Sequence, residues 1–122
     1  MADADRSDTL SDNFGNLYTS LGNRLTYASI DKTATAAADV VAAPAAGHHL
    51  RIYGYTISNE GTEQTTATIT SVCSYNTKDG SSINYHLPGY IDLASATACT
   101  ATLSAISTNG VIIGVYYRDL LD

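Results

Sequence analysis

The sequence predicts an all-β chain: one antiparallel, jelly-roll-like β-sandwich carried behind an N-terminal arm. Three observations predict it. Residues 31–122 are rich in Thr, Ala, Ile, Val and Tyr, and the β-branched and aromatic types among them suit a pleated, half-buried surface. Within that region apolar and hydroxyl side chains alternate with a period of two. Turn signals recur at intervals of roughly ten residues, the spacing of a sandwich or a jelly-roll-like barrel. Strands do not alternate with helical patterns, which argues against a parallel α/β fold. The 122 residues suit one domain, with residues 1–30 as the arm and 31–122 as the sandwich. A chain of this length buries roughly two-thirds of its unfolded surface, enough for one core without metal or disulfide staples.

The arm comes first. Leu10, Phe14, Leu17, Tyr18, Leu21 and Leu25 fall on one helical stripe. Gly15 and Gly22 oppose that helix, each by about 1 kcal/mol, as do Asn13, Asn16 and Asn23. The arm is therefore partly helical or extended. Two roles stay open: a segment that orders when its Leu/Phe/Tyr face meets a partner, and a helix packed on its own domain.

Residues 32–43 read as a first strand, ended by Pro44 and Gly47. Residues 49–58 are the strongest strand. Leu50 and Ile52 alternate there with Arg51, Tyr53, Tyr55 and Ile57, so one face fills the core and the other, holding the two tyrosines, is a candidate contact surface. The turn Asn59-Glu60-Gly61 follows. Residues 65–75 read as one strand, with Ala67, Ile69, Cys73 and Tyr75 on one face and Thr66, Thr68, Thr70 and Ser74 on the other. After the turn Lys78-Asp79-Gly80, Ile83, Tyr85 and Leu87 alternate until Pro88-Gly89, and residues 90–93 continue the strand beyond a bend. In 98–106 Cys99, Ala101, Leu103 and Ala105 oppose Thr100, Thr102 and Ser104. Asn109-Gly110 is a hairpin turn signal. Residues 111–117 form a nearly continuous apolar strand, expected to be covered on both sides.

Charge narrows the function. Only 15% of residues are charged and the net charge is -6, with six basic residues in all. Six dispersed cations build no phosphate-binding stripe, which argues against nucleic acid and against an anionic membrane as partners. No apolar run reaches the length of a membrane span. The acidic start, Met1-Ala2-Asp3-Ala4-Asp5, lacks the order of a signal peptide, so assembly in the cytoplasm is expected.

Catalytic patterns are absent. There is no Gly-rich phosphate loop, no Gly-X-Ser-X-Gly and no His-Glu-X-X-His. His48 and His49 are adjacent and point to opposite faces of a strand, so they are poor joint ligands; with His86 they are read as solvated or interface groups. Cys73 and Cys99 match no zinc or redox spacing and read as buried thiols, with a disulfide between neighbouring strands as the lesser alternative. The acids gather near the ends: Asp3, Asp5, Asp8 and Asp12, then Asp119 and Asp122. No enzyme activity, cofactor or metal is expected.

Aromatic content points to surface contact. There are nine Tyr, one Phe and no Trp. Tyrosine combines apolar area, a polar tip and a small entropy loss on ordering. Tyr53, Tyr55, Tyr85, Tyr90, Tyr116 and Tyr117 are too many for so small a core. Tyr53, Tyr55, Tyr116 and Tyr117 are the candidate self-association surface.

One stretch carries a resemblance. Val41-Ala42-Ala43-Pro44-Ala45-Ala46-Gly47-His48-His49-Leu50-Arg51-Ile52-Tyr53-Gly54-Tyr55-Thr56-Ile57-Ser58 resembles the early strand-turn-strand pattern of small phage-encoded β-sandwich proteins. Residues 65–75 match the Thr-rich strand of that pattern and 111–117 its late Gly-containing apolar strand. His48-His49 stands where a lysine or arginine is usual. The resemblance implies a phage head decoration, or cement, protein: a homotrimer on the outer surface of the virion head, binding the major capsid protein after assembly in the host cytoplasm. Phe14, Leu17, Tyr18 and Leu21 would then be the capsid-contact arm. The alternative is a receptor- or glycan-binding sandwich of a fibre or tail.

Overall fold

A computed structural model describes residues 25–78 and 80–122. The predicted arm contacts Phe14, Leu17, Tyr18 and Leu21 lie outside these residues. The described chain is all-β and holds no helix. Its strands are β1 (Thr26–Lys32), β2 (Ala38–Val41), β3 (His48–Asn59), β4 (Thr65–Ile69), β5 (Cys73–Thr77), β6 (Ser82–Asp92), β7 (Cys99–Leu103) and β8 (Val111–Leu121). They form two antiparallel four-stranded sheets, ordered β1-β8-β3-β6 and β2-β7-β4-β5.

The period-two pattern explains the core between them. Leu50, Ile52, Ile57, Val111, Ile113 and Val115 come from the first sheet, and Val40, Ala67, Ile69, Cys99, Ala101 and Leu103 from the second. Full burial of each large aliphatic group contributes about 1.5–3 kcal/mol. One polar network sits inside. Asn59 Nδ2 donates to Glu63 O and Thr77 Oγ1, both at 2.9 Å, and its Oδ1 accepts from Gly61 N–H at 2.9 Å. Thr77 Oγ1 donates in turn to Thr65 O at 2.8 Å. Each side-chain group of this network finds a partner, as burial demands.

Several sequence expectations are corrected. Residues 65–75 are two strands, β4 and β5, joined by a tight turn in which Val72 N–H donates to Ile69 O at 2.9 Å. Ile69 pairs with Cys73, so three residues intervene and the inward alternation runs on unbroken. The turn places Ser71 at φ +65°, with no Gly or Asn to announce it. The expected first strand at 32–43 is instead the end of β1, a bend and the short β2 in the opposite sheet. β1 starts at Thr26, so the last residues of the 1–30 segment pair with β8. Asn109-Gly110 closes no hairpin, because β7 and β8 lie in different sheets. Pro88 is tolerated because β6 is an edge strand, and its ladder to β3 skips from His86 to Ile91.

The correction that matters most for the surface is a bulge in β3. The register shifts between Ile52 and Gly54 against both β6 and β8. Tyr53 is the extra residue. Leu50 and Ile52 point inward before it, Tyr55 and Ile57 after it. Strict alternation puts Tyr53 and Tyr55 on one face; the bulge separates them. Gly54 is required beside it, since a Cβ there would lie 2.6 Å from the backbone oxygen of Tyr85.

Cys73 and Cys99 are free thiols on strands separated by β4, not neighbours. Burial pushes the Cys99 thiol up to about 11.

Candidate interaction surface

The outer face of the β1-β8-β3-β6 sheet collects the aromatic groups that the core excludes. Directly opposed residues of an antiparallel pair share a face, so the register assigns each side chain. Tyr27 on β1 opposes Tyr116 on β8; Tyr116 and His86 both oppose Gly54. The rings form a row across the strands. Tyr27 and Tyr116 lie 4.9 Å apart at 44°, Tyr116 and His86 5.2 Å apart at 31°.

Glycine makes room for this row. Gly114 of β8 lies beneath Tyr27, and a Cβ there would stand 2.6 Å from Cζ and 2.8 Å from Cε1 of the ring. The ring thus lies against bare backbone. Its hydroxyl reaches across to Thr56 Oγ1 of β3 at 2.7 Å. Held at both ends, Tyr27 is still 46% exposed. The expected cover on both faces of β8 is met here by an aromatic ring.

A second group lies on the same face toward the start of β3. The Arg51 guanidinium stacks 3.8 Å from the Tyr90 ring centre, and Tyr53 lies 6.1 Å from the same ring. Arg51 also donates to both carboxylate oxygens of Asp92, at 2.7 and 3.1 Å. That contact holds the Asp92 carboxyl below its usual range. Arg118 donates to the Tyr53 hydroxyl at 3.3 Å. Tyr90 remains 53% exposed.

The histidines cap the adjoining end. His48 Nδ1 meets Asp119 Oδ1 at 2.9 Å; His49 Nδ1 meets Asp122 Oδ1 at 2.8 Å, with its Nε2 3.4 Å from Asp92 Oδ1. Ser95 donates to Asp122 rather than to an imidazole, so this cluster lacks the serine–imidazole contact of a nucleophile pair. Among the described residues no group of three or more His, Cys, Asp and Glu is placed to hold a metal.

The four sequence-predicted tyrosines divide. Tyr53 and Tyr116 lie on the outer face. Tyr55 and Tyr117 oppose Val115 and Ile52 and pack against the core, Tyr55 in contact with Cys73 of the other sheet. The sequence pattern does not mark Tyr27 or Arg51 as contact residues, whereas His86 is among the histidines read from it as solvated or interface groups. Gly54 and Gly114 were the available signal, since glycine inside a strand pattern marks a close approach. The second sheet turns hydroxyls outward: Thr68 pairs with Ser74 and Thr100 with Thr70, both at 2.9 Å. None of the family models, curated proteins or solved structures compared with this chain matches it.

Proposed function

We propose that this chain is a non-enzymatic structural virion protein: a phage head decoration protein of jelly-roll fold that binds the outer surface of the assembled head and stabilises it. The observation that carries the reading is the rigid, exposed aromatic face on a charge-poor double sheet. Such a surface suits recognition by contact. The strand order supports the jelly-roll assignment, since β1 with β8, β2 with β7, β3 with β6 and β4 with β5 are neighbours in two sheets.

In this reading Phe14, Leu17, Tyr18 and Leu21 of the N-terminal arm clamp neighbouring copies of the major capsid protein. Self-association as a homotrimer falls to outward groups such as Tyr53 and Tyr90. Binding only to the assembled lattice stabilises it by mass action, and linked copies gain from effective concentration.

The test mixes purified protein with expanded phage heads and images the particles by cryo-electron microscopy. Ordered density at threefold positions is expected. Replacing Phe14, Leu17 and Leu21 by Ser should weaken attachment while circular dichroism stays unchanged. Bare heads beside a soluble oligomer would overturn the reading and favour a fibre or tail module.

A further inference from the structure

Beyond attachment to a shell, the row Tyr27–Tyr116–His86 has the chemistry of a ligand platform. A stacking ligand needs a flat π face, fixed before binding, with hydrogen-bonding groups at its rim. Tyr27 offers that face. Its ring lies along the sheet over Gly114, its hydroxyl is already bonded to Thr56, and about half of it is open. Tyr116 packs against it and fixes its tilt.

The rim is uncharged. Ser29 opposes Gly114 from β1, and Asn84 opposes Thr56 from β6, so both share the outer face with the ring. Both are exposed, and neither side chain has a hydrogen-bond partner among the described residues. Ionic groups on this face are engaged elsewhere. Arg51 is bound to Asp92, Ser58 holds Glu60, and Asp31 is turned onto the Gly110 turn.

We infer that the outer face around Tyr27, bordered by Ser29, Thr56 and Asn84, binds a neutral carbohydrate, with one sugar ring stacked on Tyr27. A pyranose presents a C–H face for the phenol and a rim of hydroxyls for the neutral groups around it. An aliphatic peptide anchor would need an apolar pit, whereas the Tyr27 ring lies over Gly114 with about half of it open. A charged peptide would need ionic partners beside the ring, and the groups that border it, Ser29, Thr56 and Asn84, are neutral. The inference stands whether the protein sits on a head or on a fibre.

Saturation-transfer NMR on the full chain tests it, with maltopentaose, a chitin oligomer and a galactose oligomer as neutral probes and a sialyllactose as the acidic one. Transfer to ring C–H protons of at least one neutral probe is expected. Tyr27→Ala should reduce affinity at least about tenfold, and Tyr27→Phe, which keeps the ring, should retain most of it. Tyr90→Ala should leave it unchanged. Amide spectra of each variant report that the sandwich is intact. Absence of transfer from all four probes overturns the inference, as does binding of the acidic probe alone. Loss of self-association in Tyr27→Ala without sugar binding would assign the face to a second copy. Shifts at Tyr27 on replacing Phe14 and Leu17 by Ser would assign it to the arm. Head binding measured on the same samples separates failure here from failure of the decoration reading.

Discussion

Gly114→Ala probes the aromatic row directly. The new methyl would sit 2.6 Å from Cζ of Tyr27, so the ring must swing off the sheet. That forfeits its hydrogen bond to Thr56, worth about 1 kcal/mol, and its contact with Tyr116, worth about 1 kcal/mol more. Replacing glycine within a strand returns about 0.5–1 kcal/mol. The net loss should be about 1–1.5 kcal/mol by urea denaturation. In a Tyr27→Ala background the ring is gone, and the same change should stabilise by about 0.5–1 kcal/mol. The double-mutant cycle should therefore show a coupling of about 2 kcal/mol. Equal effects in both backgrounds would refute the account of Gly114 as a seat for Tyr27. Gly54→Ala is the contrast. Its methyl would meet backbone, Tyr85 O at 2.6 Å, so no side-chain deletion should rescue a loss of about 3 kcal/mol.

Three further outcomes are expected. Thr77→Val strips a hydrogen bond from buried Asn59 Nδ2 and leaves Thr65 O short of a donor, so it should destabilise by about 2 kcal/mol in the same assay. Asp92, whose carboxyl is depressed in the folded state chiefly by Arg51, stabilises above its unfolded value of 3.8 and loses that contribution as pH falls through the folded value; Asp92→Asn should lower Tm at neutral pH and flatten its decline in acid, and an unchanged pH profile would refute the linkage. Cys99, fully buried with its thiol raised to about 11, should react with a thiol reagent at pH 8 only at the rate of unfolding, so labelling as fast as for the unfolded chain would contradict its place in the core.

The inward faces were legible because alternation survives most of what the chain does between strands. Alternation places Ala67, Ile69, Cys73 and Tyr75 on one face even though two strands hold them. The turn between them is silent in the pattern for the same reason: three residues preserve parity. The bulge at Tyr53 is the opposite case. It breaks parity without any break in composition, and only Gly54 hinted at it. Hence alternation alone places Tyr55 on the wrong side of β3, and Tyr27 falls within the segment that composition marks as arm. Contacts across a sheet depend on register, and register is set by pairing partners that no local window contains.

The strand order also sets a timetable for folding. Of the connections described, only the one between β4 and β5 stays within a sheet; the others cross from one layer to the other. Strand β8 lies between β1 and β3, pairing Tyr27 with Tyr116 and Ile57 with Ile113. Until β8 has been synthesised, β1 has no neighbour in its sheet among the described strands, and β3 has only β6 beside it. The β4–β5 hairpin can form at once, but the rest must wait for contacts distant in sequence, which makes folding slow and leaves strand edges unpaired meanwhile. In a nascent chain of this design the facing edges of β1 and β3 stay open until β8 arrives.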